Sequence, residues 1–165
     1  MSIAEHLIQM LQQQEKLTRK VLERLPEDKW DYKPHPKSMP LGHLACHIVE
    51  MTGWSPSVLN MDAFDFDPAQ YKPLEINSPA ELVRANEEGT QKAIEALRGK
   101  PDEHMLALWK MTSGGKTFFE STRQNAIEDF VIHHTIHHRA QLGVYLRLLD
   151  IPVPSIYGPS ADERG

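Results

Sequence analysis

The chain has 165 residues, of which 40% are hydrophobic and 25% charged; this is ordinary globular composition, too apolar for disorder and long enough for one substantial core, so a single domain over residues 1–165 is expected. A formal net charge of −5 without any lysine or arginine run disfavours nucleic acid as a partner. No apolar run approaches membrane-spanning length and the N-terminus lacks signal-peptide regions, so a soluble cytoplasmic protein is expected.

The first periodic segment runs from about Ile3 to Leu25, with Leu7, Met10, Leu11, Leu17, Val21 and Leu22 at spacings of three and four, which predicts a helix with one buried stripe. Pro26 closes it, and Pro34, Pro36 and Pro40 keep WDYKPHPKSMP out of helix, because proline lacks an amide donor and restricts the residue before it. A second helix is predicted from Leu41 to about Trp54, carrying Leu44, Ile48 and Met51, with Ser38 as its expected cap. Residues 55–77 show no sustained period and are expected to connect helices, without a function of their own.

Ser78, Pro79 and Glu81 mark a helix start, and Leu82, Ala85, Ala93, Ile94 and Leu97 continue a third helix that Gly99 and Pro101 stop. In HMLALWKMTSGGKTFFES, the TSGGK between apolar residues suits a small hairpin or an irregular turn. A fourth helix is predicted from about Thr122 to Leu149. The simplest architecture is an all-α four-helix bundle with a long crossover between helices 2 and 3.

The fourth helix contains VIHHTIHHRAQ, four histidines in six positions. On a helical wheel His134 and His138 fall with Ile127, Phe130, Val131 and Tyr145 in the middle of the apolar stripe, whereas His133 and His137 lie toward its edge. Two imidazoles at i and i+4 stand close enough to share a cation. An isolated pair is as well explained by hydrogen bonding to neighbours, but desolvating several imidazoles on one stripe is costly unless their nitrogens are satisfied. LGHLACHIVEM offers the third ligand, and His47 lies nearer its helix's apolar stripe than His43. Three histidines with an open position are the arrangement of catalytic zinc; imidazole suits nickel, iron and copper equally. The one cysteine, Cys46, excludes a disulfide framework and four-cysteine zinc sites. It sits on the far side of its helix from Leu44 and is taken as a bystander.

SMPLGHLACHIVEM, HTIHHRAQ followed by LGVYLRLL, and the C-terminal IPVPSIYGPSADE stand in order with the WDYKP loop over nearly the whole chain. In these segments the sequence resembles the DinB family of damage-inducible bacterial proteins, in a superfamily with YfiT-like hydrolases and thiol-dependent transferases. The resemblance implies a four-helix bundle, often a homodimer, holding a divalent metal with one histidine from the second helix and two from the fourth. Carried over, those ligands are His47, His134 and His138. The family's HHRGQ reads HHRAQ here, with Ala140 in place of glycine.

A cation on three neutral imidazoles can lower the pKa of a water or stabilise a substrate thiolate. The expected function is a metal-dependent enzyme acting on a small molecule, with a thiol as the favoured substrate and thiol transfer ahead of hydrolysis. The alternative is a non-catalytic metal-binding stress-response dimer. No general base stands at a fixed spacing. Glu50 and Gln141, each one turn from a ligand, are candidates to orient imidazoles, although Glu50 points away from the stripe and is read as a solvent-facing or helix-packing residue. Arg139, His137 and Tyr157 are candidates for a pocket mouth, each otherwise a surface residue or, for Tyr157, an anchor of the C-terminal turn. The methionines, Met51 and Met111 among them, are read as core or loop residues.

Overall fold

The computed structural model describes residues 1–164. Helix α1 spans Ile3–Leu22 and begins with a reciprocal cap: Ser2 Oγ accepts from Glu5 N at 3.2 Å while Glu5 Oε2 accepts from Ser2 N at 2.7 Å. It buries Leu7, Leu11, Val21 and Leu22 along one stripe, and ends three residues before the predicted Leu25.

The proline-rich loop that follows is ordered by backbone bonds. Leu41 N donates to Tyr32 O and Gly42 N to Trp30 O, both at 2.9 Å, and Trp30 Nε1 donates to Ile76 O at 3.1 Å. Helix α2 spans Leu41–Glu50. Its first amides are therefore satisfied by loop carbonyls; the cap position is Pro40, with no side-chain cap, which replaces the expected Ser38. The helix tightens into a 3₁₀ turn over Met51–Trp54 and resumes as α3, Ser55–Asn60. The expected connection over 55–77 thus begins with helix, and it also holds strand β1, Ala63–Asp65.

Helix α4 spans Pro79–Leu97, with Pro79 in its first turn. A short α5, Asp102–Leu106, precedes a hairpin of β2, Leu108–Ser113, and β3, Lys116–Thr122. Gly114 and Gly115 form the two-residue turn at φ 56° and 79°, the left-handed conformations that such a turn requires. β1 pairs parallel to β2, and β2 antiparallel to β3, giving the order β1-β2-β3. The bundle is therefore accompanied by a small sheet, which corrects the all-α expectation. The reason is visible in β2, where buried Trp109 and Met111 alternate with exposed Leu108 and Lys110.

Thr122 caps α6, Arg123–Ile127, by accepting from Asn125 N at 3.2 Å. A π-helical stretch, Glu128–His133, then leads into α7, His134–Leu148. The four long elements form the bundle: α1 and α2 each pack against both α4 and α7. Gly89 of α4 meets Thr52 so closely that a Cβ there would lie 2.3 Å from Thr52 Oγ1. Among the described residues, no helix is long and apolar enough to cross a membrane.

Candidate metal centre

His47 leaves α2 in its last turn, and His134 and His138 leave the first two turns of α7, which packs against α2. One ligand atom from each lies within 4.8 Å of the others. The ring centroids are 5.2 Å apart for His47 and His134, 4.8 Å for His47 and His138, and 4.6 Å for His134 and His138. The π-helical stretch ends at His133, one residue before the cluster; such stretches recur at functional sites because they re-aim the helix that follows.

Burial depresses all three imidazoles below the ordinary histidine value. For His134, desolvation and then the neighbouring His138 push the pKa down to about 4; His47 and His138 are lowered chiefly by desolvation, partly offset by Glu50 and Gln141 respectively. All three rings are therefore neutral at neutral pH, the form that ligates a cation.

The tautomers are set from behind. His138 Nδ1 donates to Gln141 Oε1 at 2.8 Å, and the Gln141 amide donates in turn to His137 Nε2 at 3.1 Å. His138 Nε2 is consequently without a proton, and it faces His134 Nε2 at 2.8 Å. Nitrogens that share a cation at about 2.0–2.1 Å stand roughly 3 Å apart, so a small adjustment of the two rings lets the donor set fit a divalent metal. Gln141 holds the orienting role considered for it.

Glu50 corrects its assignment to a face away from the site. Its Oε2 lies 3.6 Å from His47 Nδ1 and accepts from Tyr71 Oη at 2.8 Å, while Oε1 accepts from Leu74 N. Desolvation first and Glu50 second push the Tyr71 phenol up to about 12, so it remains a donor.

His133 and His137 are exposed, and His133 contacts Asp129 at 3.2 Å. His43 is exposed as well. The buried stripe of α7 comprises Thr135, His138, Arg139, Leu142, Tyr145 and Leu146, centred roughly 80° round the helix from His134. His138 lies within that stripe, as the wheel placed it, whereas His134 is half-buried at its edge and Leu148 is exposed.

Arg139 is neither a surface residue nor part of the histidine site. It is buried, and it donates to Gln14 O, Gln14 Oε1, Thr18 Oγ1 and Tyr157 Oη, tying α7 to α1 and the C-terminal segment. Tyr157 anchors that segment by donating to Gln14 Oε1 at 2.7 Å. With Val21, Ile136, Val144 and Val153, these two line a groove of about 440 Å³ that contains none of the three histidines. Ala140 also lines that groove and is exposed, so nothing within the chain requires glycine there. Cys46 is buried and donates to Ile76 O at 3.4 Å, consistent with its reading as a bystander.

A cavity of about 280 Å³ opens beside His47 and His134. Its wall is Trp54, Phe66, Phe118, Phe130, Met51 and Met111, with Tyr71 at one side. The sequence reading missed these residues as a group. The available signal was the aromatic density of FDFDPAQY, which a loop without packing duties does not need.

The DinB family model matches residues 1–164. YrdA of Bacillus subtilis (strain 168), an uncharacterized protein, is 24% identical over 159 residues, which cover 96% of this chain and 90% of YrdA. Among solved structures, a DinB-like protein from Bacillus cereus ATCC 10987 superposes with a TM-score of 0.69 at 21% identity, covering 93% of this chain and 97% of its own. YfiT from Bacillus subtilis, described as a probable metal-dependent hydrolase with an unusual four-helix bundle topology, superposes with a TM-score of 0.70 at 15% identity, covering 89% of this chain and 87% of YfiT. At these identities the structural likenesses show the shared fold.

Proposed function

The chain belongs to the DinB family, and on that footing we propose that it is a metal-dependent enzyme acting on a small molecule, holding a divalent cation with His47, His134 and His138. The observation that carries this reading is the convergence of the three imidazoles at the wall of a cavity. A metal site serving only stability needs no such space, and the cavity therefore supports catalysis over a non-catalytic metal-binding role.

Bound among the three histidines, a divalent cation supplies charge that lowers the pKa of an arriving thiol or water. The protein's own part is to present neutral nitrogens, to orient two of them through Gln141 and Glu50, and to exclude bulk water with aromatic and thioether side chains. Among the described residues no carboxylate lines the cavity, and the nearest, Glu50, is engaged with Tyr71 and Leu74. Hydrolysis would need a base to take a proton from water. A thiol has a pKa near 8.5 and reacts once its charge is stabilised, so thiol transfer is the better fit. In that reaction the sulfur–carbon bond forms as the bond to the leaving group breaks, and the thiol proton passes to solvent.

The test is elemental analysis of the untagged chain purified without chelator, followed by a mixed assay of a thiol with a carbon electrophile. The expected result is about one metal equivalent and a thiol adduct, visible by mass spectrometry, that disappears when the metal is stripped. Hydrolysed electrophile without adduct would reverse the order of the two reactions, and a chain that takes up no zinc, nickel or iron would sink the enzyme reading.

A further inference from the structure

The cavity wall selects among molecules that could reach the histidines. Among the described residues no Asp, Glu, Lys or Arg side chain lines it. A ligand carrying a carboxylate, phosphate or ammonium in its body would lose hydration there and gain no counter-charge. Besides the two imidazoles, the wall residues that carry a polar atom are Trp54, with its indole N–H, and Tyr71, whose hydroxyl proton is already committed to Glu50.

What the wall offers is apolar and aromatic. Trp54 and Phe66 stand 6.1 Å apart, and Phe66 and Tyr71 5.7 Å apart, both tilted; these rings pack on one another into a continuous aromatic surface, of the kind a further ring joins by edge-to-face contact. Met51 and Met111 are buried on the same wall, and thioethers pack well against rings. The volume, about 280 Å³, lies just below the range typical of drug-sized ligands. It suits one ring, or a branched chain, with a few further atoms.

We infer that the substrate of this site carries a small uncharged aromatic or branched aliphatic group beside its reacting atom, with that group in the cavity and the reacting atom at the histidines. The inference rests on the metal-dependent reading proposed above and specifies its substrate class. Phe118, at the cavity's edge and 56% exposed, is placed where a substitution alters the wall without emptying the core.

The experiment loads the full chain with cobalt(II), whose visible spectrum reports the metal before any ligand is added, and titrates it with three thiols. These are phenylmethanethiol, 2-hydroxyethanethiol and 2-mercaptoethanesulfonate, followed by the sulfur-to-cobalt absorption band and by isothermal calorimetry. Phenylmethanethiol is expected to bind about tenfold or more tightly than either polar thiol. Phe118→Lys is expected to narrow that ratio by improving the sulfonate. Equal affinities, or preference for the sulfonate by the parent, would overturn the substrate class and leave the metal reading standing. A chain that gives no cobalt spectrum overturns the metal reading, and the inference with it.

Discussion

The Glu50 carboxylate lies 3.6 Å from His47 Nδ1 and is held there by Tyr71 and the Leu74 amide. A carboxylate in that position orients a ligating imidazole and raises its basicity. Glu50→Gln is therefore expected to weaken metal affinity about 10–100-fold without unfolding the chain. Competition with a chromophoric chelator measures it, with Tyr71→Phe as the control that loses the phenol contact and retains affinity. Unchanged affinity in Glu50→Gln would make the carboxylate a brace for the 71–74 segment alone.

Replacing the ligands separates the two pairs of histidines on the fourth helix. His47→Ala, His134→Ala and His138→Ala are each expected to reduce metal content sharply, whereas His133→Ala, which removes an exposed ring resting on Asp129, leaves it intact. Elemental analysis of the four variants decides it; metal loss in His133→Ala equal to the others would move the site to the other face.

Gly42 lies under the Trp30 indole, where a Cβ would come within 2.1 Å of the ring. Gly42→Ala must displace either the indole or α2, at a cost of about 1–3 kcal/mol. Denaturant unfolding checks this, and because His47 stands on the same helix, metal affinity should fall in the same variant. An unfolding midpoint equal to the parent's would show that the loop yields freely.

The C-terminal segment is pinned by two exposed carboxylates. Asp162 is held below its ordinary value of 3.8 by Arg147, at 2.5 Å, and then by Val153 N; Glu163 is held below 4.5 by Ser155 N and then Arg24. Depressed carboxylates bind more protons unfolded than folded, so their contribution is complete above the ordinary values and lost as pH falls through the lowered ones. Asp162→Asn combined with Glu163→Gln should lower the melting temperature at pH 7, and the difference from the parent should shrink as pH falls below the ordinary carboxylate values. A difference that stays constant from pH 7 into the acid range would assign the effect to packing.

The histidine cluster was legible because two i, i+4 pairs on periodic helices restrict which side chains can meet. His47, His134 and His138 needed only the helical period and the apolar stripe. The wheel failed for Glu50, since what holds its side chain is Tyr71 and Leu74, more than twenty residues further on in a segment with no period. The surface reading of Arg139 failed for a related reason: its acceptors, Gln14 and Tyr157, lie at opposite ends of the chain. The π-helical stretch added a phase shift that a uniform 100° step cannot carry. The hairpin could be anticipated from its Gly-Gly turn, but the parallel pairing of β1 with β2, across more than forty residues, could not.

The cavity wall has two origins. His47, Met51, Phe130 and His134 come from α2 and the fourth bundle element with their adjoining turns, whereas Phe66, Tyr71, Met111 and Phe118 come from the crossover and the hairpin. On the proposed function, the ligating histidines stand on the bundle alone, whereas much of the wall that would select the substrate comes from the crossover and the hairpin. Exchanging the 61–77 crossover and the 108–122 hairpin between homologues would retarget the protein to new molecules while its chelating chassis stays as it is, and grafting of this kind is open to laboratory evolution one module at a time.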